Sequence, residues 1–368
     1  MEHKIVSRIT DGIFRYQAWP TVARAEDGTL FVGCSGHRLN HVCPFGKDYL
    51  YISTDEGESW TGPRIIQDGY FDDRDVGLLT WGEGNIHMTF FSTNPEKYRP
   101  RLAFEGSRKH QSLSDPLARG AIEYVAAIPE AAGDHGSWTK ISRDNGKTWS
   151  PKRPSPVTSP HGPCRLKDGS LLYVGITLTT TGDYNNTDVR TRVQAHVSYN
   201  DGETWVLRSI LPVPEGFEKK NVEPHAIQMA NGDILAAVRY QNPTGPSRDF
   251  LGIYTTISHD GGATWESAQY TDILGAPAHL LQHSSGAVVM VYSKRCGPQG
   301  SFVRVSRDFG KTWSEDKMIG LEAPDWDHGY PSSVELPGGD IFTVYYQKCP
   351  GDSYNSIHSV RFSLDEVL

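Results

Sequence analysis

Arg38, Arg239 and the pair Lys294–Arg295 occupy one shared place in three similar stretches, each at the end of an apolar run that follows a tight turn. Glu223 and Tyr330, with Trp19, Arg74, Asp75, Ser159 and Ala276, occupy a second shared place, just ahead of the apolar run that leads into such a turn. If the two places meet in the fold, cations, carboxylates and a tyrosine share one rim. Guanidinium forks bind carboxylates bidentately. Charges gathered in a concavity favour a ligand site over a structural hole. The alternative is a row of strand ends, solvated or paired locally.

The elements that would bring these places together are six hairpins. They read "AWPTVARAEDGTLFV", "DRDVGLLTWGEGNIHMTF", "SPHGPCRLKDGSLLYVG", "EPHAIQMANGDILAAVR", "APAHLLQHSSGAVVMVY" and "GYPSSVELPGGDIFTVYY". Each is an apolar run, a glycine-containing turn and a second apolar run, the pattern of two antiparallel strands. Interleaved with them are five octapeptides, "STDEGESW", "SRDNGKTW", "SYNDGETW", "SHDGGATW" and "SRDFGKTW", ending at Trp60, Trp149, Trp205, Trp265 and Trp313. In each, the Asp or Asn caps its own turn, the glycine supplies a positive φ and the tryptophan packs between sheets. A catalytic group would not recur once per repeat, so these are structural.

A repeat of this length, with two hairpins per unit, predicts an all-β, six-bladed propeller of four-stranded blades. Six hairpins against five octapeptides leave one degenerate blade, which "HKIVSRI" near the N-terminus and "SIHSVRF" near the C-terminus are expected to close together. The prediction is a single domain over residues 1–368, with an insertion at about 92–138 in blade two holding a helical piece within "DPLARGAIEYVAAIPEAA". The insertion suits a lid or a subunit contact, against a plain solvated loop. In such a blade the residues before the first strand and after the second converge on one face, and the octapeptides lie on the other.

A formal charge of −8 and a pI near 6.0 argue against nucleic acid as a partner. The five cysteines have no metal-type spacing and are expected as free thiols. No apolar run approaches membrane-spanning length, and the first residues lack the apolar core of a secretion signal, so a cytoplasmic protein without a membrane partner is expected. The Asn185–Asn186–Thr187 sequon is discounted as a chance match. His161, His225 and His279 fall at similar points near the starts of three strands, where they could bond sugar hydroxyls, act as an acid or simply pack, with hydroxyl binding or packing favoured. Their spacing does not support a metal, and no cofactor is expected.

The octapeptide S-x-D-x-G-x-T-W resembles the Asp-box of the sialidase superfamily. Five copies span nearly the whole chain and identify the fold more strongly than the activity. The resemblance implies an exo-acting, retaining hydrolase of a terminal α-linked, acidic sugar, with a glycan as substrate and an oligomer possible. "VEPHAIQMANGDILAAVR" is similar to the segment that supplies an activating glutamate and a substrate-binding arginine, here Glu223 and Arg239. "HGYPSSVELPGGDIFTVYY" is similar to the segment with the nucleophilic tyrosine, here Tyr330, and "TLFVGCSGHR" to the stretch ending in a pocket arginine, here Arg38. A tyrosine suits an anomeric centre bearing a carboxylate, which repels an anionic nucleophile. Its intrinsic pKa near 10 requires an adjacent base.

The chain departs from that pattern at three points. Ala18-Trp19-Pro20 stands where the family has Arg-Ile-Pro, with Arg15 the nearest substitute. Arg295 is preferred over Arg304 as the third arginine. "RLNHVCPFGKD" lacks the expected acid aspartate and offers only His41 and the more distant Asp48, so Asp73 and Asp75 of "FDDRDVG", with Arg74 beside them, are the alternatives. These departures leave open a neutral or uronic sugar, or a sugar-binding propeller without turnover. A protein-binding scaffold fits the polar rim less well.

Overall fold

The computed structural model describes residues 1–94, 115–178, 192–215, 221–241 and 251–368. Alternation of apolar and polar residues with glycine-bearing turns yields six separate four-stranded antiparallel sheets. Blade one comprises Tyr16–Arg24, Leu30–Arg38, Lys47–Ser53 and Thr61–Gln67. Blade two comprises Asp72–Trp81, Asn85–Thr93, Gly136–Ser142 and Arg153–Pro154. Blade three has Cys164–Arg165, Leu171–Gly175, Gln194–Ser198 and Val206–Ile210. Blade four has Asn221–Gln228, Ile234–Gln241, Leu251–Ser258 and Gln269–Tyr270. Blade five has His279–Gln282, Val288–Lys294, Gly300–Ser306 and Lys317–Met318. In blade six Gly329–Glu335, Ile341–Lys348 and Asn355–Phe362 are joined by the N-terminal strand Glu2–Ser7.

The two chain ends close the ring as expected, with Glu2 opposite Arg361 and Ser7 opposite Ile357. This also explains why six blades carry five octapeptides. The third and fourth strands of blade six come from opposite ends of the chain, so no connection exists there for an octapeptide to make.

The apolar cores lie between neighbouring sheets. Tyr51 and Val32 of blade one pack with Phe342 and Val344 of blade six, and Phe31 and Leu50 pack with Met88 and Phe90 of blade two. Similar layers join blades three and four, four and five, and five and six. The octapeptides stitch these layers. In the last one the Thr312 amide donates to Asp308 Oδ1 at 2.8 Å, and the Gly310 amide donates to Ser306 Oγ at 2.8 Å. That turn holds Gly310 at φ +84° with its backbone against Leu235 of the preceding blade. In the fourth octapeptide the Trp265 indole donates to Ser209 Oγ of blade three at 2.9 Å.

The blade-two insertion leaves the sheet between its second and third strands. Residues 95–114 fall outside the described residues, as does the discounted sequon. The expected helix forms over Pro116–Ala126, capped by Asp115, whose side chain accepts from the Leu117 amide at 2.8 Å. Its Ala121, Ile122 and Val125 line a cavity with Pro44, Tyr70 and Phe71. The helix therefore lies beside the loop that follows Arg38.

The Gly310 contact is open to a direct test. A Cβ there would stand 2.9 Å from Leu235 Cδ2 at a backbone angle that β-carbons disfavour. Gly310→Ala should cost about 1–3 kcal/mol of stability, read as a lower denaturation midpoint. An unchanged midpoint would exclude the wedge.

Candidate active site

The residues that open the inner strands share an unusual backbone. Trp19, Asp75, Glu223 and Tyr330 have φ of 54°, 57°, 49° and 52°. Each sits at a register shift in the pairing of its blade's first two strands, between Ala18 and Thr21, Arg74 and Gly77, Val222 and His225, and Gly329 and Ser332. A bulge leaves one residue unpaired and re-aims its side chain. Here it turns four side chains toward a common pocket.

Two of them meet across the ring. The Tyr330 hydroxyl donates to Glu223 Oε1 at 2.7 Å. Arg239, at the end of the second strand of blade four, donates to Glu223 Oε2 and, at 3.3 Å, to the Tyr330 oxygen. Burial pushes the Tyr330 phenol well above its usual pKa, Glu223 and Asp75 push it further, and Arg239 and Arg295 oppose them. The phenol is thus a weak acid with a carboxylate in place to take its proton. Arg295 lies near the same centre, donating to the His328 carbonyl at 3.3 Å and facing the Trp326 ring at 6.0 Å. Arg304 is engaged elsewhere, by Asp316 and Asp272 at 2.6 Å each, so of these two arginines only Arg295 stands beside Arg239 near the pair.

Asp75 borders the pair. It is buried, with Oδ1 lacking a hydrogen-bond partner. Burial pushes its carboxyl up to about 7, with Glu223 adding to this and Arg74 opposing. Asp73, expected alongside it, points into the blade. Ser92 donates to its Oδ1 at 2.5 Å and the Gly69 amide to its Oδ2 at 2.7 Å. Residues two apart on a regular strand face the same way; the register shift between Arg74 and Gly77, with Asp75 at φ 57°, is what aims Asp75 differently from Asp73.

Three further expectations are corrected. Arg38 is fully buried and forms a fork with Asp72, at 2.5 Å and 2.9 Å, while Nη2 also donates to the His41 carbonyl at 2.9 Å. The backbone of Gly46 closes over that pair so tightly that a Cβ would lie 2.2 Å from Arg38 Nη1. Arg38 therefore supports the wall and does not present its donors to a ligand. Arg15 stands over the Tyr354 ring at 4.1 Å and donates to the Thr10 carbonyl, apart from the Glu223–Tyr330 pair. The three histidines pack on one another, with ring centres 4.4–5.5 Å apart. His225 and His279 accept from the backbone amides of Leu280 and Ser333. Burial depresses all three, His225 to about 3, so they form a neutral plug and do not present donors to a sugar. No cluster of metal-ligand side chains occurs among the described residues.

Trp19 fills the place of the missing arginine. Its buried indole has the Arg74 guanidinium 4.1 Å and the Arg38 guanidinium 5.0 Å from the ring centre. Arg74, expected to bind substrate, is packed on this wall, also touching Phe91 at 5.8 Å. Sequence reasoning missed Asp327, Tyr16 and Tyr346, which meet through hydrogen bonds. Tyr346 ends the second strand of blade six and follows from the rule that selected Arg239. Asp327, in "DWDHGYP", stands three residues before Tyr330.

Two substitutions test this arrangement. Asp72→Asn leaves the Arg38 cation buried without its counter-charge and should cost about 3–5 kcal/mol, read by chemical denaturation; a loss below 1 kcal/mol, on the order of an exposed pair, would contradict it. Asp75 has a folded pKa above that of the unfolded chain, so it contributes most at acid pH and that contribution is lost as pH rises toward 7. Asp75→Asn should therefore raise the melting temperature at pH 8, and the gain should vanish toward pH 4. A gain independent of pH would refute the titration.

Comparison with known proteins follows the same lines. A family model described as a BNR repeat-like domain matches residues 122–343. No curated protein matches the chain. Among solved structures, a protein of unknown function from Dyadobacter fermentans superposes with a TM-score of 0.74 at 20% identity, covering 98% of this chain and 97% of that one. The NanB sialidase of Streptococcus pneumoniae gives 0.69 at 14% identity, covering 99% and 71%. The intramolecular trans-sialidase of Ruminococcus gnavus gives 0.63 at 13% identity, covering 96% of each chain. At such identities the likeness shows the fold alone. With the family match extending over more than half of its residues, the chain belongs to the BNR repeat-like domain family.

Proposed function

We propose that the protein is a retaining, exo-acting glycoside hydrolase that removes a terminal α-linked, acidic sugar from a glycan. The observation that carries this reading is the hydrogen bond of 2.7 Å from the buried Tyr330 hydroxyl to Glu223. A tyrosine that serves only packing has no need of a carboxylate and an arginine on its oxygen. In this reading Glu223 takes the phenol proton as Tyr330 attacks the anomeric carbon, and Arg239 stabilises the charge that passes between them. The carboxylate of an acidic sugar would lie toward Arg295 and the outer edge of Arg239. Asp75, neutral up to about pH 7, keeps a further negative charge away from Tyr330 while the phenolate develops.

A second reading keeps the machinery and changes the sugar. With Arg38 sealed against Asp72 and Trp19 in the place of an arginine, the contacts for a carboxylate on the anomeric carbon are reduced.

One panel of aryl α-glycosides, including sialosides, glucuronides and neutral sugars, decides between them. Wild-type protein should cleave one class with retention. Tyr330→Phe should lose turnover by about 10³-fold or more with an unchanged melting temperature. Turnover surviving in Tyr330→Phe would remove the nucleophile assignment, and binding without turnover in the wild type would make this a sugar-binding propeller.

A further inference from the structure

A second acid–base cluster flanks Trp19, with the rings of Tyr16, His41 and Tyr346 against it. His41 Nδ1 lies 3.0 Å from Asp327 Oδ1. Asp327 also accepts from the Tyr16 hydroxyl at 3.0 Å and the Tyr346 hydroxyl at 3.1 Å. His41 belongs to the loop after the second strand of blade one, and Asp327 to the segment that leads into Tyr330, so two separate blades build the pair. Both residues are largely buried. Burial alone would push the Asp327 carboxyl up, yet His41, Arg295 and Tyr16 together hold it well below the usual carboxylate range. An ionised Asp327 favours the imidazole tautomer with its proton on Nδ1, the nitrogen that faces it.

The cluster is joined to the Tyr330–Glu223 pair through aromatic walls. The Trp19 ring meets His41 edge-on at 4.9 Å and Tyr330 at 6.5 Å. Tyr346 touches the Tyr330 ring at 6.1 Å while its hydroxyl serves Asp327. No structural demand of the fold accounts for a histidine, a carboxylate and two tyrosines held together at this depth. A hydrophobic wall there would have been simpler to bury. The leaving oxygen of a sugar attacked by Tyr330 needs a proton donor of its own, and the His41–Asp327 pair is joined to Tyr330 through Trp19. Glu223 is occupied with the phenol proton and cannot serve both oxygens.

We propose that His41 is the general acid and base of the reaction, with Asp327 as its positioning residue. The assignment rests on the glycosidase reading. In the first half, Glu223 removes the phenol proton, the Tyr330 oxygen bonds to the anomeric carbon, and the bond to the leaving oxygen breaks. Its electron pair goes to that oxygen, which takes the proton from the His41 imidazolium. In the second half, neutral His41 takes a proton from water, the water oxygen bonds to the anomeric carbon, and the Tyr330 oxygen departs and recovers its proton from Glu223.

The test compares leaving groups on the sugar that the aryl panel selects. His41→Gln should lose about 10²–10⁴-fold in kcat/KM on an alkyl glycoside, and less than about tenfold on a dinitrophenyl glycoside, whose leaving oxygen needs no proton. Asp327→Asn should show the same leaving-group dependence in milder form, which a residue of purely structural role would not. Equal losses on both substrates, in variants with wild-type melting temperatures, would overturn the assignment while leaving Tyr330 and Glu223 in place. If wild-type protein cleaves neither substrate, the glycosidase reading falls and this assignment falls with it.

Discussion

Four side chains reach the pocket because four inner strands begin with a bulge whose unpaired residue is not glycine. A left-handed backbone at Trp19, Asp75, Glu223 and Tyr330 costs on the order of 1–3 kcal/mol each. Those costs are met by the ladders on either side. In blade four, pairing runs from His225–Ala237 through Gln228–Ile234 below the bulge and resumes at Val222–Arg239 above it. The same rung that closes the bulge carries Arg239, so the glutamate and its arginine are positioned by one local distortion. Blade six repeats this with Gly329 opposite Tyr346 and Tyr330 in the bulge. One bulge therefore places Tyr330 beside the rung of the tyrosine that supports Asp327.

Such local strain survives only on a stiff frame, and the octapeptides supply part of that stiffness. Each ties off its own turn through an Asp or Asn and a serine, then presses a glycine and a tryptophan on the blade before it. Asn200 does in blade three what Asp308 does in blade five, accepting from the amide four residues on at 3.0 Å. The interchange shows that the acceptor oxygen matters there more than the charge. The opposite face of the ring is thus uniform, and the pocket face is free to differ from blade to blade.

That division explains how much was legible in the sequence. The repeat announced the blade count, the closure and the two places where pocket residues enter, because turn chemistry and strand alternation are local. Glu223 and Tyr330 follow from the same alignment. Partners do not follow from it. Nothing local distinguishes Arg239, which reaches Glu223, from Arg38, which ends an equivalent strand yet is captured by Asp72 of the next blade. Asp73 and Asp75 share a segment and differ only in which way the strand turns each of them. The histidine trio looked like a row of ligands and is a packing contact, since the residues two or three beyond the rim face the axis and not the pocket.

The replacement of an arginine by Trp19 does not strip the pocket of positive charge; it changes how that charge is delivered. Arg38 and Arg74 both lean on the indole, at 5.0 Å and 4.1 Å, but Arg38 is neutralised by its fork with Asp72. Arg239 is likewise matched by Glu223, and Arg295 lies in the field of Asp327. Arg74 lies 3.8 Å from Asp72 and is balanced further by Asp75 when that carboxyl is ionised, which its value of about 7 delays to neutral pH. Below that point Arg38 and Arg74 share the Asp72 carboxylate behind an aromatic face. A field of this kind attracts an acidic ligand without a hydrogen bond to it, and in a pocket of low dielectric it is felt over several ångströms. Recognition by field places weaker demands on where the acid group sits than a triad of forks would.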